Sequence, residues 1–320
     1  MAKDNSGWLS ELAGKSVAAP KRETLEDLVE SRPFWDSLAD FDDLPAGVEV
    51  HEAVELWDRG ERTLGAEIYV PEGEGPFPLL VHIHGGGYCV SRAINDRKYG
   101  MRIAARGYTV LSPDYALAPE YPFPWAVEEC LYAARWLTKN AAEYRGDPSR
   151  LVLEGGSAGA GLSAAAIIAA NGLADGLDQG GLEGVELSVV AAVLFYGMFS
   201  FPQLLLDPGS NVGSAELWNR AYLGAHFTTK LRHPLVSMVY APNLDRFPPA
   251  YISCGHDDSF LGHTLEFTKA LADANATATV SIVEGQNHNY AKSYGNEAAQ
   301  AEVERAFAWL AAKVPGSRVP

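Results

Sequence analysis

Leu151-Val152-Leu153-Glu154-Gly155-Gly156-Ser157-Ala158-Gly159-Ala160-Gly161-Leu162-Ser163-Ala164-Ala165-Ala166-Ile167-Ile168 reads as a short apolar strand, a Gly-x-Ser-x-Gly turn and a helix. A serine in such a turn sits on strained backbone that lifts its Oγ above the sheet. Glycines at 155 and 159 let strand and helix approach closely around it. The helix that follows points its free N–H groups and the positive end of its dipole at the same spot. Taken alone, the motif also suits a serine that merely caps a helix. A nucleotide-phosphate cradle fits less well, because Gly155 to Gly161 lacks the lysine of a P-loop and no acid stands where a ribose would need one.

Outward from this turn, β-rich runs alternate with helical patterns. The runs are Leu64 to Val70, Leu79 to His84, Tyr108 to Ser112, Leu151 to Leu153, Val189 to Tyr196, Pro249 to Cys254 and Thr277 to Val283. Several lack period-2 alternation, as strands buried on both faces of a parallel sheet do. Helical spacing marks Pro124 to Asn140, Ala158 to Ala170, Thr264 to Ala274 and Glu297 to Lys313. The alternation predicts an α/β fold, with a mostly parallel central sheet and helices on both faces. Two stretches break the rhythm. Residues 1–50 scatter Trp8, Phe34, Trp35 and Phe41 among acids, and residues 197–245 hold Phe199, Phe201, Trp218, Tyr222 and Phe227 without a clear strand. We expect an N-terminal cap segment over 1–50 and a main domain over 51–320, with 197–245 a second cap element; peripheral packing is the alternative for each.

Composition narrows the function. In 320 residues, 25 basic and 41 acidic side chains leave a formal net charge of -16, and no Lys/Arg run relieves it, which disfavours nucleic acid and anionic membrane as partners. With 47% hydrophobic residues the chain can bury a sizeable core. Met1 to Pro20 lacks the apolar region of a signal peptide, so a cytoplasmic protein is expected. Cys89, Cys130 and Cys254 form no C-x-x-C pair and are expected as buried free thiols.

A second motif, Val81-His82-Ile83-His84-Gly85-Gly86-Gly87-Tyr88, ends another predicted strand in three glycines, whose N–H groups can converge on a developing oxyanion. His82 and His84 share a strand face, but no third metal ligand accompanies them. Together with Asp114-Tyr115-Ala116-Leu117-Ala118-Pro119-Glu120 and the Ser157 turn, this order and spacing resembles the hormone-sensitive-lipase-like family of α/β-hydrolases, from about residue 65 to 310. The resemblance implies an α/β-hydrolase fold with a cap. It also implies an oxyanion hole from the N–H groups of Gly85, Gly86 and Ala158, with His84 bracing the loop. The chain departs from the family pattern at Gly156, where Asp or Glu is frequent, and at Ala160, where a second Gly usually follows.

A serine nucleophile needs a histidine base and a carboxylate, which in α/β-hydrolases follow the serine in the order acid, then histidine. Of His226, His233, His256, His263 and His288, only His288 lies just beyond the last predicted strand, in a loop similar to the family's Gly-x-x-His-x-aromatic pattern. His256 and His263 are expected to make surface hydrogen bonds. Asp257 and Asp258 both follow the strand ending at Cys254; the family pattern Gly-x-x-Asp-x-hydrophobic-Leu picks Asp258, and a register one residue shorter picks Asp257. The cluster His256, Asp257, Asp258 and His263 also admits a metal-ligand reading, which serine chemistry does not need. The expectation is a serine carboxylesterase for short- to medium-chain esters, with Ser157, Asp258 and His288 catalytic and Tyr88, Trp218 and Tyr222 lining the substrate site. No cofactor or metal is expected, the partner is a small-molecule ester, and pairing with a second copy is left open. An amidase or arylformamidase would use the same residues. A non-catalytic receptor on this scaffold is disfavoured because no triad member is missing.

Overall fold

A computed structural model describes residues 23–206 and 215–316. Eight strands, β1 (Val48–Asp58), β2 (Thr63–Pro71), β3 (Phe77–Ile83), β4 (Thr109–Pro113), β5 (Gly146–Gly156), β6 (Val189–Phe195), β7 (Ala250–Gly255) and β8 (Ala278–Val283), form one sheet in the order β1-β2-β4-β3-β5-β6-β7-β8. The pairs β1/β2 and β2/β4 are antiparallel, and every pair from β4 to β8 is parallel. Strands β3, β4 and β7 are buried along their whole length, which is why their sequences run apolar without alternation.

The helices are α1 (Leu25–Glu30), α2 (Arg32–Asp36), α3 (Arg97–Ala104), α4 (Trp125–Lys139), α5 (Ala158–Ile168), α6 (Phe201–Leu206), α7 (Ala215–Leu223), α8 (Leu261–Asp273) and α9 (Glu297–Lys313). They divide between the two faces of the sheet. Leu79, Val81 and Ile83 of β3 join the core formed with α4, α5 and α8, whereas Leu80 and Val152 join the core formed with α3 and α9. All eleven residues of α5 are buried, as a helix apolar on every side requires.

Two elements were not anticipated. β1 is a long edge strand in which only Leu56 is buried, and its run Val48-Glu49-Val50-His51-Glu52-Ala53 carries too many charges to read as a strand. It begins at Val48, so the division drawn at residue 50 falls inside it. Helix α3 is short and holds Gly100 in its middle, where a Cβ would lie 2.8 Å from Tyr69 Cδ2.

The described parts of the two irregular stretches lie against the loops beyond β3 and β4. Thr24 starts α1 in a capping box with Asp27. Arg32 then donates from Nε to Cys89 O at 2.9 Å and from Nη2 to Ala118 O at 2.9 Å, and pairs with both Glu120 oxygens at 2.7 Å. In the second stretch, Tyr222 of α7 stacks on Tyr88 with ring centroids 3.9 Å apart, and Tyr222 O accepts from Phe123 N–H at 2.7 Å. Among the described residues of 197–245 there is no strand, as expected. Trp8, counted with the first stretch, lies outside the described residues.

Candidate active site

The carboxyl ends of the parallel strands all point to one edge of the sheet, where ligands of such folds bind. Ser157 follows β5 there with φ 58° and ψ -124°, a conformation costing on the order of 1–3 kcal/mol that surrounding bonds must hold. Ser157 N–H donates to Phe195 O at 3.0 Å, and its carbonyl accepts from Gly161 N–H at 3.2 Å and Met198 N–H at 3.3 Å. Glycine is obligatory on both sides of the turn. A Cβ on Gly155 would come within 2.7 Å of Ile83 O, and one on Gly159 would collide with the same oxygen while lying 2.6 Å from His84 O. The motif therefore wedges β3, β5 and α5 together directly beneath the serine.

The loop after β3 runs beside this turn. A Cβ on Gly85 would stand 3.3 Å from Ser157 Cβ, so the Gly85 backbone is in van der Waals reach of the serine. Gly86, at φ +117°, turns the chain so that its carbonyl accepts from Cys89 and Val90 N–H at 3.0 and 3.1 Å. Ala158 is the first residue of α5, and N–H groups in a first turn have no partner within the helix. His84 stacks on Tyr115 at 4.2 Å, and Tyr115 OH donates to His84 O at 3.0 Å. Burial pushes the His84 imidazole down to about 4, so it stays neutral. Its Nδ1 lies 2.7 Å from Gly85 O, within the loop it was expected to brace.

His288, on the loop after β8, approaches Ser157 Oγ with Nε2 at 3.0 Å. Its Nδ1 faces Asp258 Oδ2 at 2.9 Å and Oδ1 at 3.1 Å. The Asp258 side chain is fully buried, and its Oδ1 also accepts from Phe260 N–H at 2.8 Å. Asp257 instead stands in solvent beside His256 at 3.2 Å. Of the two adjacent acids, Asp258 meets His288 and Asp257 does not. The resulting Ser-His-Asp line is able to move a proton from Oγ to Nε2 and to stabilise the imidazolium that forms.

The family profile described as alpha/beta hydrolase fold matches residues 80–292. The chain belongs to the alpha/beta-hydrolase fold family. Within it the chain falls among the hormone-sensitive-lipase-like members. It is 27% identical to Esterase LipI of Mycobacterium tuberculosis over 286 residues, covering 85% of this chain and 84% of LipI. It is 39% identical to hormone-sensitive lipase of Bos taurus over 104 residues, covering 32% of this chain and 14% of that one. Another relative, Lipase 2 of Moraxella sp., is matched over only 54% of its own length. Among solved structures, Bacterial Heroin Esterase superposes with a TM-score of 0.79 at 24% identity, covering 95% of this chain and 97% of that one, a likeness of fold.

The chain's departure from the family pattern at Gly156 has a local cause. A Cβ there would lie 2.8 Å from Tyr196 Cε2, so the Tyr196 ring occupies the room a larger side chain would need. Tyr196 itself has φ 39° and packs edge-on against His288 at 5.1 Å, with Phe260 against the same imidazole at 4.8 Å.

Contrary to the expectation of surface hydrogen bonds, His263 makes none. It is fully buried under the acid loop, its Nδ1 accepts from Ser200 N–H at 3.3 Å, and burial pushes it down to about 4. The run Leu261-Gly262-His263-Thr264 starts α8 and turns the histidine inward. His256 is at the surface, as expected. Among the three side chains expected to line the substrate site, Tyr88 and Tyr222 are buried against each other and against Phe201, so they form a wall rather than an open face. Trp218 is partly exposed and lies over the loop: a Cβ on Gly87 would be 2.6 Å from its Cε3.

Sequence reasoning missed a set of charges beneath the site. His82 Nδ1 lies 2.5 Å from Glu154 Oε2 and His82 Nε2 lies 3.0 Å from Asp96 Oδ2, while Lys292 Nζ donates to both Asp96 oxygens at 2.6 Å. The signal available was Glu154 itself, a carboxylate that directly follows the apolar run Leu151 to Leu153. Cys89, Cys130 and Cys254 are free and buried. Among the described residues, no group of three or more His, Cys, Asp and Glu is arranged to hold a metal ion, and no helix is long and apolar enough to cross a membrane.

Proposed function

We propose that this hydrolase is a serine carboxylesterase that cleaves short- to medium-chain carboxylic esters through an acyl-enzyme on Ser157. What carries the reading is the double engagement of His288, 3.0 Å from Ser157 Oγ on one side and 2.9 Å from Asp258 on the other. Ser157 Oγ attacks the ester carbonyl as its proton passes to His288 Nε2, and the charge on the imidazolium is stabilised by Asp258. The tetrahedral oxyanion is held by N–H groups of Gly85, Gly86 and Ala158, each worth about 3 kcal/mol in the transition state. The intermediate collapses, the alcohol leaves with the proton from His288, and water repeats the steps to release the acid. The names of the relatives, an esterase and two lipases, support an ester as the bond cleaved.

The limit on acyl length rests on the cap. The Tyr88, Tyr222 and Phe201 rings stack into a solid wall, and Trp218 leans over Gly87 at the loop that would receive the carbonyl oxygen. Large rings fill the volume a long chain would occupy. A panel of p-nitrophenyl esters from acetate to palmitate, run beside an aryl formamide, tests both parts. We expect the highest kcat/KM from acetyl to hexanoyl. Faster cleavage of palmitoyl than butyryl esters would overturn the size limit, and a preference for the formamide would overturn the ester reading.

A further inference from the structure

The loop that carries His288 leaves β8 at the edge of the sheet and must cross β7 and β6 to reach Ser157 at the end of β5. Asp258, after β7, grips the imidazole on the near side. On the far side, four residues beyond His288, Lys292 reaches Asp96, which belongs to the turn Ala93–Asp96 that follows the Gly85–Gly86 loop. Asp96 in turn holds His82 of β3, and the parallel register sets His82 directly opposite Glu154 of β5, three residues before Ser157. One chain of alternating charges thus touches all three segments that converge on the serine.

We infer that the buried chain Glu154–His82–Asp96–Lys292 is a positioning device for the proposed esterase reaction, holding the His288 loop in register with the Ser157 turn and the Gly85–Gly86 loop. The inference rests on that reading of the site. Three of the four side chains are at most 3% exposed and Lys292 is 20% exposed. Burying charges is costly even when they are paired, and an apolar layer would fill the same space at no loss of stability. What the charges add is direction. Each carboxylate accepts along fixed lines, so a shift of Lys292 breaks two hydrogen bonds, whereas a shift between apolar groups breaks none.

The chain is neutral overall only while His82 carries a proton. Burial would discharge it, but Glu154 and Asp96 on its two nitrogens more than offset that and raise it to about 9. The other groups around it do not compete. Tyr99 of α3 donates to Glu154 Oε1 at 3.2 Å; it, Tyr196 beyond β6 and Tyr294 beyond Lys292 are all pushed above the ordinary phenol range by burial, and His84 is neutral.

The test compares kcat and KM for p-nitrophenyl acetate in the unsubstituted protein, Lys292→Met, Lys292→Arg and His82→Gln. Lys292→Met should lower kcat at least tenfold with KM within twofold, and Lys292→Arg should recover most of it. The unsubstituted protein should lose kcat through an apparent pKa near 9, and His82→Gln should lack that limb. A purely structural role would lower the melting temperature and leave kcat and its pH profile unmoved. Wild-type kcat in Lys292→Met, or an alkaline limb that persists in His82→Gln, would overturn the inference. Should Lys292→Met fail to fold, the His82→Gln profile decides. An unsubstituted protein that hydrolyses no ester would instead count against the esterase reading itself.

Discussion

Replacing Asp258 by Asn keeps the size of the side chain and changes only what its second atom offers. The native Oδ1 accepts from Phe260 N–H at 2.8 Å, and Oδ1 and Oδ2 face His288 Nδ1 at 3.1 and 2.9 Å. In Asp258→Asn the amide oxygen is claimed by Phe260 N–H, which leaves the NH2 pointing at Nδ1. A donor there forces the imidazole proton onto Nε2, so His288 presents an N–H rather than a lone pair to Ser157 Oγ, 3.0 Å away. The flipped amide would restore the tautomer but leave two donors facing each other at Phe260, a buried conflict costing about 1–3 kcal/mol. Loss of the base by this route costs about 10,000-fold in kcat, or roughly 5.4 kcal/mol of barrier. Asp257→Asn alters a side chain that is 61% exposed and pairs with the exposed His256, and should change kcat less than threefold. Initial rates on p-nitrophenyl butyrate at pH 7.5, with circular dichroism to verify folding, separate the two. A loss under tenfold in Asp258→Asn, or a larger loss in Asp257→Asn, would refute the tautomer argument.

Gly156→Asp, which installs a residue frequent in the family, should destabilise by about 1–3 kcal/mol because its Cβ meets the Tyr196 ring; pairing it with Tyr196→Ala in thermal melts should cost less than the sum of the single changes. Stability should also peak near pH 6.5. His82 is raised to about 9 in the folded chain from 6.5, so its contribution, on the order of 3 kcal/mol, is complete below pH 6.5 and lost as pH rises through 9. His84 and His263 are lowered to about 4, so theirs is present above pH 6.5 and lost as pH falls toward 4. Melting temperatures from pH 4 to 10 check both slopes, and a rise from pH 7 to 9.5 would contradict the first. Trp218→Ala should shift the best substrate toward longer acyl chains in the p-nitrophenyl panel, since it removes the ring over Gly87.

The parts of this fold legible in the sequence are those where local chemistry and tertiary role coincide. Gly155 and Gly159 announce a close approach that only glycine permits, and the apolar runs of β3, β4 and β7 mirror burial on both faces. Boundaries that no local rule marks were less visible. β5 extends from Gly146 to Gly156, well beyond the apolar core Leu151 to Leu153, because its first residues pair only where Phe77 and Pro78 of β3 meet them. β1 hides as a strand because its outer face is solvated. The inward turn of His263 depends on where α8 begins, and its N-cap, Phe260, makes no side-chain capping hydrogen bond and instead packs its ring 4.8 Å from the imidazole. The Glu154–His82 pair required the register of two parallel strands, and Asp96–Lys292 joins positions 196 residues apart. Spacing along the chain carries neither.

Intact-mass measurement and peptide mapping after reaction with a fluorophosphonate decide whether Ser157 is the nucleophile of an acyl transfer. One adduct per chain is expected, located on Ser157, forming as ester hydrolysis is lost and absent from a folded Ser157→Ala protein. Labelling at another residue, or ester turnover that survives in Ser157→Ala, would contradict it.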